Sequence, residues 1–126
     1  MLPELRGQGV RHAFIGLGTT GGTRPRRRLY EEVLSTGFQI IDAIHPRAII
    51  TDSVEVSQGP TMMANSVINA ATRLGANVIV NTGAIVEHDC IIEDHVHIAS
   101  GAHLASTVYV GEGAHIGIGA SILQAI

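Results

Sequence analysis

The stretch Val80-Asn81-Thr82-Gly83-Ala84-Ile85-Val86-Glu87-His88-Asp89-Cys90-Ile91-Ile92-Glu93-Asp94-His95-Val96-His97-Ile98 decides the fold. Val80, Val86, Ile92 and Ile98 stand six apart. Extending that step backwards gives Leu74, Ile68, Met62, Val56, Ile50 and Ile44, and forwards Leu104, Val110, Ile116 and Ile122. All fourteen positions carry a large aliphatic side chain. A second column lies four residues after each of these and is mostly small: Ala48, Ser66, Thr72, Ala84, Cys90, Ala102, Ala114 and Ala120 are examples. A helix repeats every 3.6 residues and a strand every two, so neither explains a period of six. One large and one small inward residue per six suits a short strand followed by a tight corner, repeated by stacking. Gly59-Pro60 interrupts the small column, which predicts a bulge or loose corner there.

The rest of the composition agrees. Of 126 residues, 45% are hydrophobic but only 3% aromatic, namely Phe14, Tyr30, Phe38 and Tyr109, and 15 are Gly. Such a core must be filled by small aliphatic groups in a repetitive arrangement. That rules out a disordered chain and disfavours an ordinary bundle or sandwich. The length bounds the molecule to one compact domain or two small ones.

The charge is lopsided. All eight basic residues are Arg, and every one lies within residues 1–73, beside six acids. Residues 74–126 hold five acids, no Lys or Arg, and five of the seven His. An acidic surface of this kind argues against nucleic acid or an anionic membrane as partner, because phosphates require cationic neutralisation. The single Cys90 excludes an internal disulfide and the four-Cys zinc frameworks. No apolar run approaches the length of a membrane span, and Glu4 and Arg6 interrupt any signal-like segment. A cytoplasmic location is expected.

Ahead of the repeat, Val10 to Leu17 reads as a buried strand and Gly18 to Thr23 as a loop. A helix is predicted from Pro25 to about Thr36, with Pro25 at its first turn and Gly37 as its C-terminal cap. Phe38 to Ile41 reads as a second strand. Residues 1–43 therefore form a partial βαβ unit, and residues 44–126 the repetitive domain. Gly16-Leu17-Gly18-Thr19-Thr20-Gly21 is a formal G-x-G-x-x-G with Arg24 and Arg26 to Arg28 behind it. Two readings stay open: a phosphate-cradling loop, or a tight loop with a solvated Arg face. A dinucleotide site is disfavoured, because no acid sits at a strand end about 20 residues on.

The densest titratable cluster is Glu87-His88-Asp89 followed by Glu93-Asp94-His95 and His97. His88 falls on a corner after Val86 and is expected to point outward. His97 is also outward-facing, and His115, eighteen residues on, should stack over it. A His near neutral pH is the usual general base. A stacked ladder of polar surface residues would give the same composition. Cys90 lies in the small inward column, where a buried structural thiol is expected rather than a nucleophile.

The run Asn81-Thr82-Gly83-Ala84-Ile85-Val86-Glu87-His88-Asp89-Cys90-Ile91-Ile92-Glu93-Asp94, with His97 and Gly111-Glu112-Gly113-Ala114-His115-Ile116-Gly117-Ile118, closely resembles hexapeptide-repeat acyltransferases of the NeuD/PglD type. These modify sialic acid and nucleotide-linked amino-sugars. Gly37-Phe38-Gln39-Ile40-Ile41 and Ile44-His45-Pro46-Arg47-Ala48 share the resemblance. It implies a mainly β fold, a left-handed parallel β-helix, behind the partial α/β unit. It implies acetyl-CoA as acyl donor, no metal, and a sugar or nucleotide-sugar acceptor. His88 is implied as general base and Asp89 as the acid beside it. His97, Ser106 and Ile118 are implied to meet acetyl-CoA, and Gly18 the nucleotide-sugar. A homotrimer with active sites between protomers is implied as well. Family members are longer, so the resemblance presents this chain as truncated at both ends.

Two alternatives compete with this. One is a non-catalytic trimeric β-helix scaffold or binding module. The other is a γ-class carbonic-anhydrase-like metalloenzyme, against which no two His here are five residues apart.

Overall fold

The computed structural model describes residues 1–126. From residue 43 onward the chain winds as a left-handed parallel β-helix of about four coils. Fourteen two-residue strands recur every six residues: β3 (Ala43–Ile44), β4 (Ile49–Ile50), β5 (Glu55–Val56), β6 (Thr61–Met62), β7 (Val67–Ile68), β8 (Arg73–Leu74), β9 (Ile79–Val80), β10 (Ile85–Val86), β11 (Ile91–Ile92), β12 (His97–Ile98), β13 (His103–Leu104), β14 (Tyr109–Val110), β15 (His115–Ile116) and β16 (Ser121–Ile122). Each strand pairs in parallel with those eighteen residues away, so three sheets form, ordered β15-β12-β9-β6-β3, β16-β13-β10-β7-β4 and β14-β11-β8-β5. Below they are called the first, second and third sheets.

The second residue of each strand is the large aliphatic of the sequence column, and it points into the coil. Met62, Ile68, Val80, Val86, Ile92, Ile98 and Leu104 are fully or almost fully buried, with Val78, Ala84, Cys90, Val96 and Ala102 packed between them. Each such side chain contributes about 1.5–3 kcal/mol of burial. In the first coil Ile44 and Val56 are exposed, because each is covered from one side only. Corner backbone bonds continue from rung to rung, for example His95 N–H to Ala76 O at 2.8 Å.

The expected bulge at Gly59-Pro60 is absent. β5 and β6 keep the six-residue spacing, and Thr61 pairs in register with both Ala43 and Ile79. Pro60 needs no N–H at that corner, and its carbonyl still accepts the Ala43 amide at 2.9 Å. Gly59 supplies the left-handed turn at φ +77°, and a Cβ there would lie 2.7 Å from Ile40 Cγ2.

The N-terminal unit contains α1 (Leu2–Gly7), which the sequence reading did not foresee, then β1 (His12–Ala13), α2 (Arg24–Ser35) and β2 (Gln39–Ile40). β1 and β2 pair in parallel, as the βαβ reading requires. Helix α2 ends in a Schellman motif: Phe38 N–H reaches Val33 O and Gly37 N–H reaches Leu34 O, with Gly37 at φ +89°. Phe38 and Val33 join Ile15, Tyr30 and Ile40 in a second, smaller core.

The expected strand over residues 10–17 shrinks to two residues, and Val10, Phe14 and Leu17 are exposed. The ladder with β2 runs only from Arg11 O to Ala13 O, and beyond it the Ile15 and Leu17 carbonyls accept from the Arg26 guanidinium instead. The unit sits against the first sheet and the corners preceding it. Thr23 Oγ1 donates to Gly113 O at 2.8 Å, Arg27 pairs with Glu112, and Tyr30 stands edge-on to His95 at 5.4 Å.

Candidate active site

The site residues singled out in the sequence fall on two edges of the coil. The first edge joins the second and third sheets. After Val86 the chain turns through Glu87-His88-Asp89-Cys90, with Asp89 in the left-handed region at φ +59°. The same corner one coil down and one coil up carries Ala71 at +57° and Thr107 at +59°. Asp tolerates this conformation better than most residues with a Cβ. Here it swings the carboxylate back onto its neighbour, and Asp89 Oδ2 lies 2.7 Å from His88 Nδ1.

Both side chains are about half exposed, and His88 Nε2 has no partner within the chain. Asp89 thus holds the tautomer that leaves the Nε2 lone pair facing outward. Ser106 occupies the equivalent corner one coil on, where His88 O accepts the Thr107 amide at 3.0 Å and Ser106 O the Ala125 amide at 3.2 Å. Glu87 is tied down by Asn69 Nδ2 at 3.1 Å. Cys90 is fully buried, its Sγ 3.2 Å from Ala105 O, and burial pushes its thiol pKa up. It is the inert structural thiol expected.

The second edge follows the first sheet. His97 on β12 faces away from the coil interior, as read from the sequence, and stacks on His115 with ring centroids 4.6 Å apart. It is not in solvent, however, being only 8% exposed. The loop after Leu17 roofs it, and Thr19 Oγ1 meets its Nδ1. On the other side Asn81 Nδ2 lies 3.1 Å from Nε2. The Thr82 amide donates to Asn81 Oδ1 at 2.8 Å, which fixes the Asn81 amide so that Nδ2 donates to the imidazole. His97 therefore carries its proton on Nδ1. Burial, with His115 and Arg26 nearby, lowers its pKa to about 4. With both nitrogens engaged and the ring neutral, His97 cannot serve as general base.

Gly18, Thr19, Asn81, His97, His115 and Ile118 line a cleft of about 420 Å³, with Ile118 on the rim at 82% exposed. A smaller cleft of about 250 Å³ adjoins it, between Phe14, Gly16, Arg26 and Ile79. Within one chain, then, His88, Asp89 and Ser106 share one edge, and Gly18, His97 and Ile118 share another. No three His, Cys, Asp or Glu side chains come together to hold a metal ion. No helix is long and apolar enough to cross a membrane.

Sequence reasoning missed Thr19, Asn81 and Arg26 as individual contributors. Arg26 is not part of a solvated Arg face: it is 3% exposed, while Arg27 behind it pairs with Glu31 and Glu112. Asn81 carried a signal, since its hexad corner lies just before that of His88. Thr19 carried none beyond the glycines around it.

A three-sided coil of hexads, with a carboxylate-backed histidine on one edge and a roofed cleft on another, defines a hexapeptide-repeat protein. Residues 71–106 match the family described as bacterial transferase hexapeptide (six repeats). Beyond that class, the chain is similar to particular sugar-modifying enzymes. One is a histidine-to-asparagine mutant of perosamine N-acetyltransferase from Caulobacter crescentus, in complex with CoA and GDP-perosamine: TM-score 0.90, 38% identity, covering 95% of this chain and 56% of that one. Another is the acetyltransferase domain of PglB from Neisseria gonorrhoeae in complex with acetyl coenzyme A: TM-score 0.80, 41% identity, covering 83% of this chain and 51% of that one. The chain thus spans little more than half the length of these two structures.

Proposed function

We propose that this chain carries acetyl-CoA-dependent acetyltransferase activity on an amine or hydroxyl of a sugar, either sialic acid or a nucleotide-linked amino-sugar. The observation that carries the reading is the His88–Asp89 pair at 2.7 Å on an exposed corner, with Nε2 open to solvent. The likeness to a perosamine N-acetyltransferase holding CoA and GDP-perosamine supports the substrate class.

In this reading His88 Nε2 accepts the proton of the acceptor amine or hydroxyl as that group attacks the thioester carbonyl. The tetrahedral adduct expels the CoA thiolate with cleavage of the C–S bond, and the imidazolium returns the proton to sulfur. Asp89 keeps Nδ1–H hydrogen-bonded throughout. His97, Ser106 and Ile118 contact acetyl-CoA, and Gly18 faces the sugar nucleotide. Residues 1–43 act as the acceptor-side unit and residues 44–126 as the acyltransferase domain.

Because the two residue sets lie on different edges, the complete site forms where one protomer's His88 corner meets its neighbour's His97 cleft. A homotrimer satisfies that, each subunit giving one edge and receiving another. A cytoplasmic location is part of this reading, since acetyl-CoA is its acyl donor. The test is acetyl transfer from acetyl-CoA to a panel of nucleotide-linked amino-sugars, with His88→Ala alongside. Product from wild type and none from the variant supports the reading; equal activity in both overturns His88 as the base.

A further inference from the structure

We propose that Arg26 is the positioning residue that holds the Gly16–Thr19 loop over the His97 cleft and thereby sets affinity for the sugar acceptor. This rests on the acetyltransferase reading above for its substrate, but its geometry stands apart from it.

Arg26 lies in the first turn of α2 and is almost wholly buried. One guanidinium nitrogen, Nη1, donates to Ile15 O at 2.7 Å and Leu17 O at 2.6 Å. The other, Nη2, donates to Thr61 Oγ1 on β6 at 3.1 Å. A single side chain thus ties three elements together: the helix, both carbonyls flanking Gly16, and the first sheet.

No carboxylate partners this buried charge, and its Nε–H has no acceptor. Burying a guanidinium without a counter-charge is costly, so mere packing would be served better by an aliphatic side chain. The arrangement is intelligible if the carbonyl grip itself is what matters. Leu17 is the last gripped residue, Gly18 follows, and Thr19 next to it reaches His97 Nδ1. The grip therefore fixes where the loop enters the cleft. Arg26, Gly16, Gly18, Asn81 and His97 also line one continuous recess. Lys is no substitute, because its shorter reach and single nitrogen cannot place donors on both the carbonyl pair and Thr61 Oγ1.

The experiment compares wild type with Arg26→Met, Arg26→Lys and Thr61→Val in the full chain. It measures KM for a nucleotide-linked amino-sugar, KM for acetyl-CoA, kcat, and amide exchange over residues 16–22. The acceptor KM is expected to rise about tenfold or more in both Arg26 variants, the loss of at least one charge-assisted bond. Acetyl-CoA KM, reached only through the Thr19–His97 contact, should rise less than the acceptor KM, and kcat should stay within about twofold. Thr61→Val, which removes one bond and keeps the shape, should give a smaller rise in the same constant.

Restoration by Arg26→Lys would overturn the fork and leave only charge. An unchanged acceptor KM, or kcat and both KM values worsening together with lost thermal stability, would overturn the proposal. If Arg26→Met does not fold, Thr61→Val decides by the same split. If wild type acetylates no sugar, the acetyltransferase reading fails, and exchange alone decides the positioning role. Faster exchange in residues 16–22 with α2 unchanged would sustain it, and equal exchange would end it.

Discussion

Asp89 reaches back to His88 across a single peptide unit, its Oδ2 2.7 Å from the imidazole Nδ1. Neighbours in an extended strand point to opposite faces and could not do this. The left-handed conformation of Asp89 brings the two side chains to the same side of the corner. Replacing His88 by Ala is expected to lower kcat by about 10²- to 10⁴-fold with little change in either KM. Asp89→Asn keeps the shape but frees the tautomer, so a smaller loss in kcat is expected. Steady-state kinetics on both variants checks this.

In the proposed trimer, the separation of His88 from the His97 cleft predicts that subunits complement one another. Ile118→Arg, on an exposed rim, should block the cleft while leaving the coil intact. His88→Ala and Ile118→Arg homo-oligomers should each be inactive, whereas co-refolded mixtures should regain activity. A mixture as inactive as its parents would place the whole site within one chain. Sedimentation should give three times the 13.2 kDa chain mass.

His97 makes stability depend on pH. Folded, it stays neutral down to about pH 4; unfolded, it takes a proton near 6.5. Below pH 6.5 the unfolded chain therefore binds more protons, and stability falls as pH is lowered until His97 itself protonates near 4. His95, buried against Tyr30, is shifted in the same direction. The His97 share is at most about 3 kcal/mol. Denaturant melts of wild type and His97→Gln at pH 7 and pH 4.5 should show a shallower pH slope in the variant.

Gly75 marks a place where two rungs nearly touch. A Cβ there would lie 2.5 Å from the Asp94 backbone nitrogen and 2.6 Å from the Glu93 carbonyl carbon. Backbone cannot step aside as a side-chain tip can. Gly75→Ala should therefore cost about 2–4 kcal/mol. A thermal melt reads the loss, and an unchanged melting temperature would contradict the rung contact.

The period of six was legible because each large inward residue answers to a local rule repeated fourteen times. The stacking of His115 over His97 followed from the same arithmetic. The burial of His97 did not, because its cover comes from Thr19, seventy-eight residues away and outside the repeat. The strand over residues 10–17 was overread because its apolar run outlasts its partner: the ladder with β2 stops at Ala13, and the carbonyls beyond it accept from Arg26. At Gly59-Pro60 the composition suggested a defect, where the chain had made room for Ile40 and Tyr30. Two of these three, the cover on His97 and the Gly59 corner, are contacts between the two parts of the chain, and the third is a side chain of α2 closing on the loop before it.

Helix α2 has a mechanical consequence for the stack beside it. A coil of two-residue rungs touches only the rung above and the rung below, so it can fray like a zipper from either end. α2, about 18 Å long against a rung spacing of about 4.8 Å, is long enough to reach across several rungs. Its side chains and the capping Thr23 reach Glu112 and Gly113 at one level, His95 at the next and Thr61 further down. Opening any one of those rungs must strip the helix from the others. The helix works as a splint, turning a series of loosely coupled layers into a block that melts together.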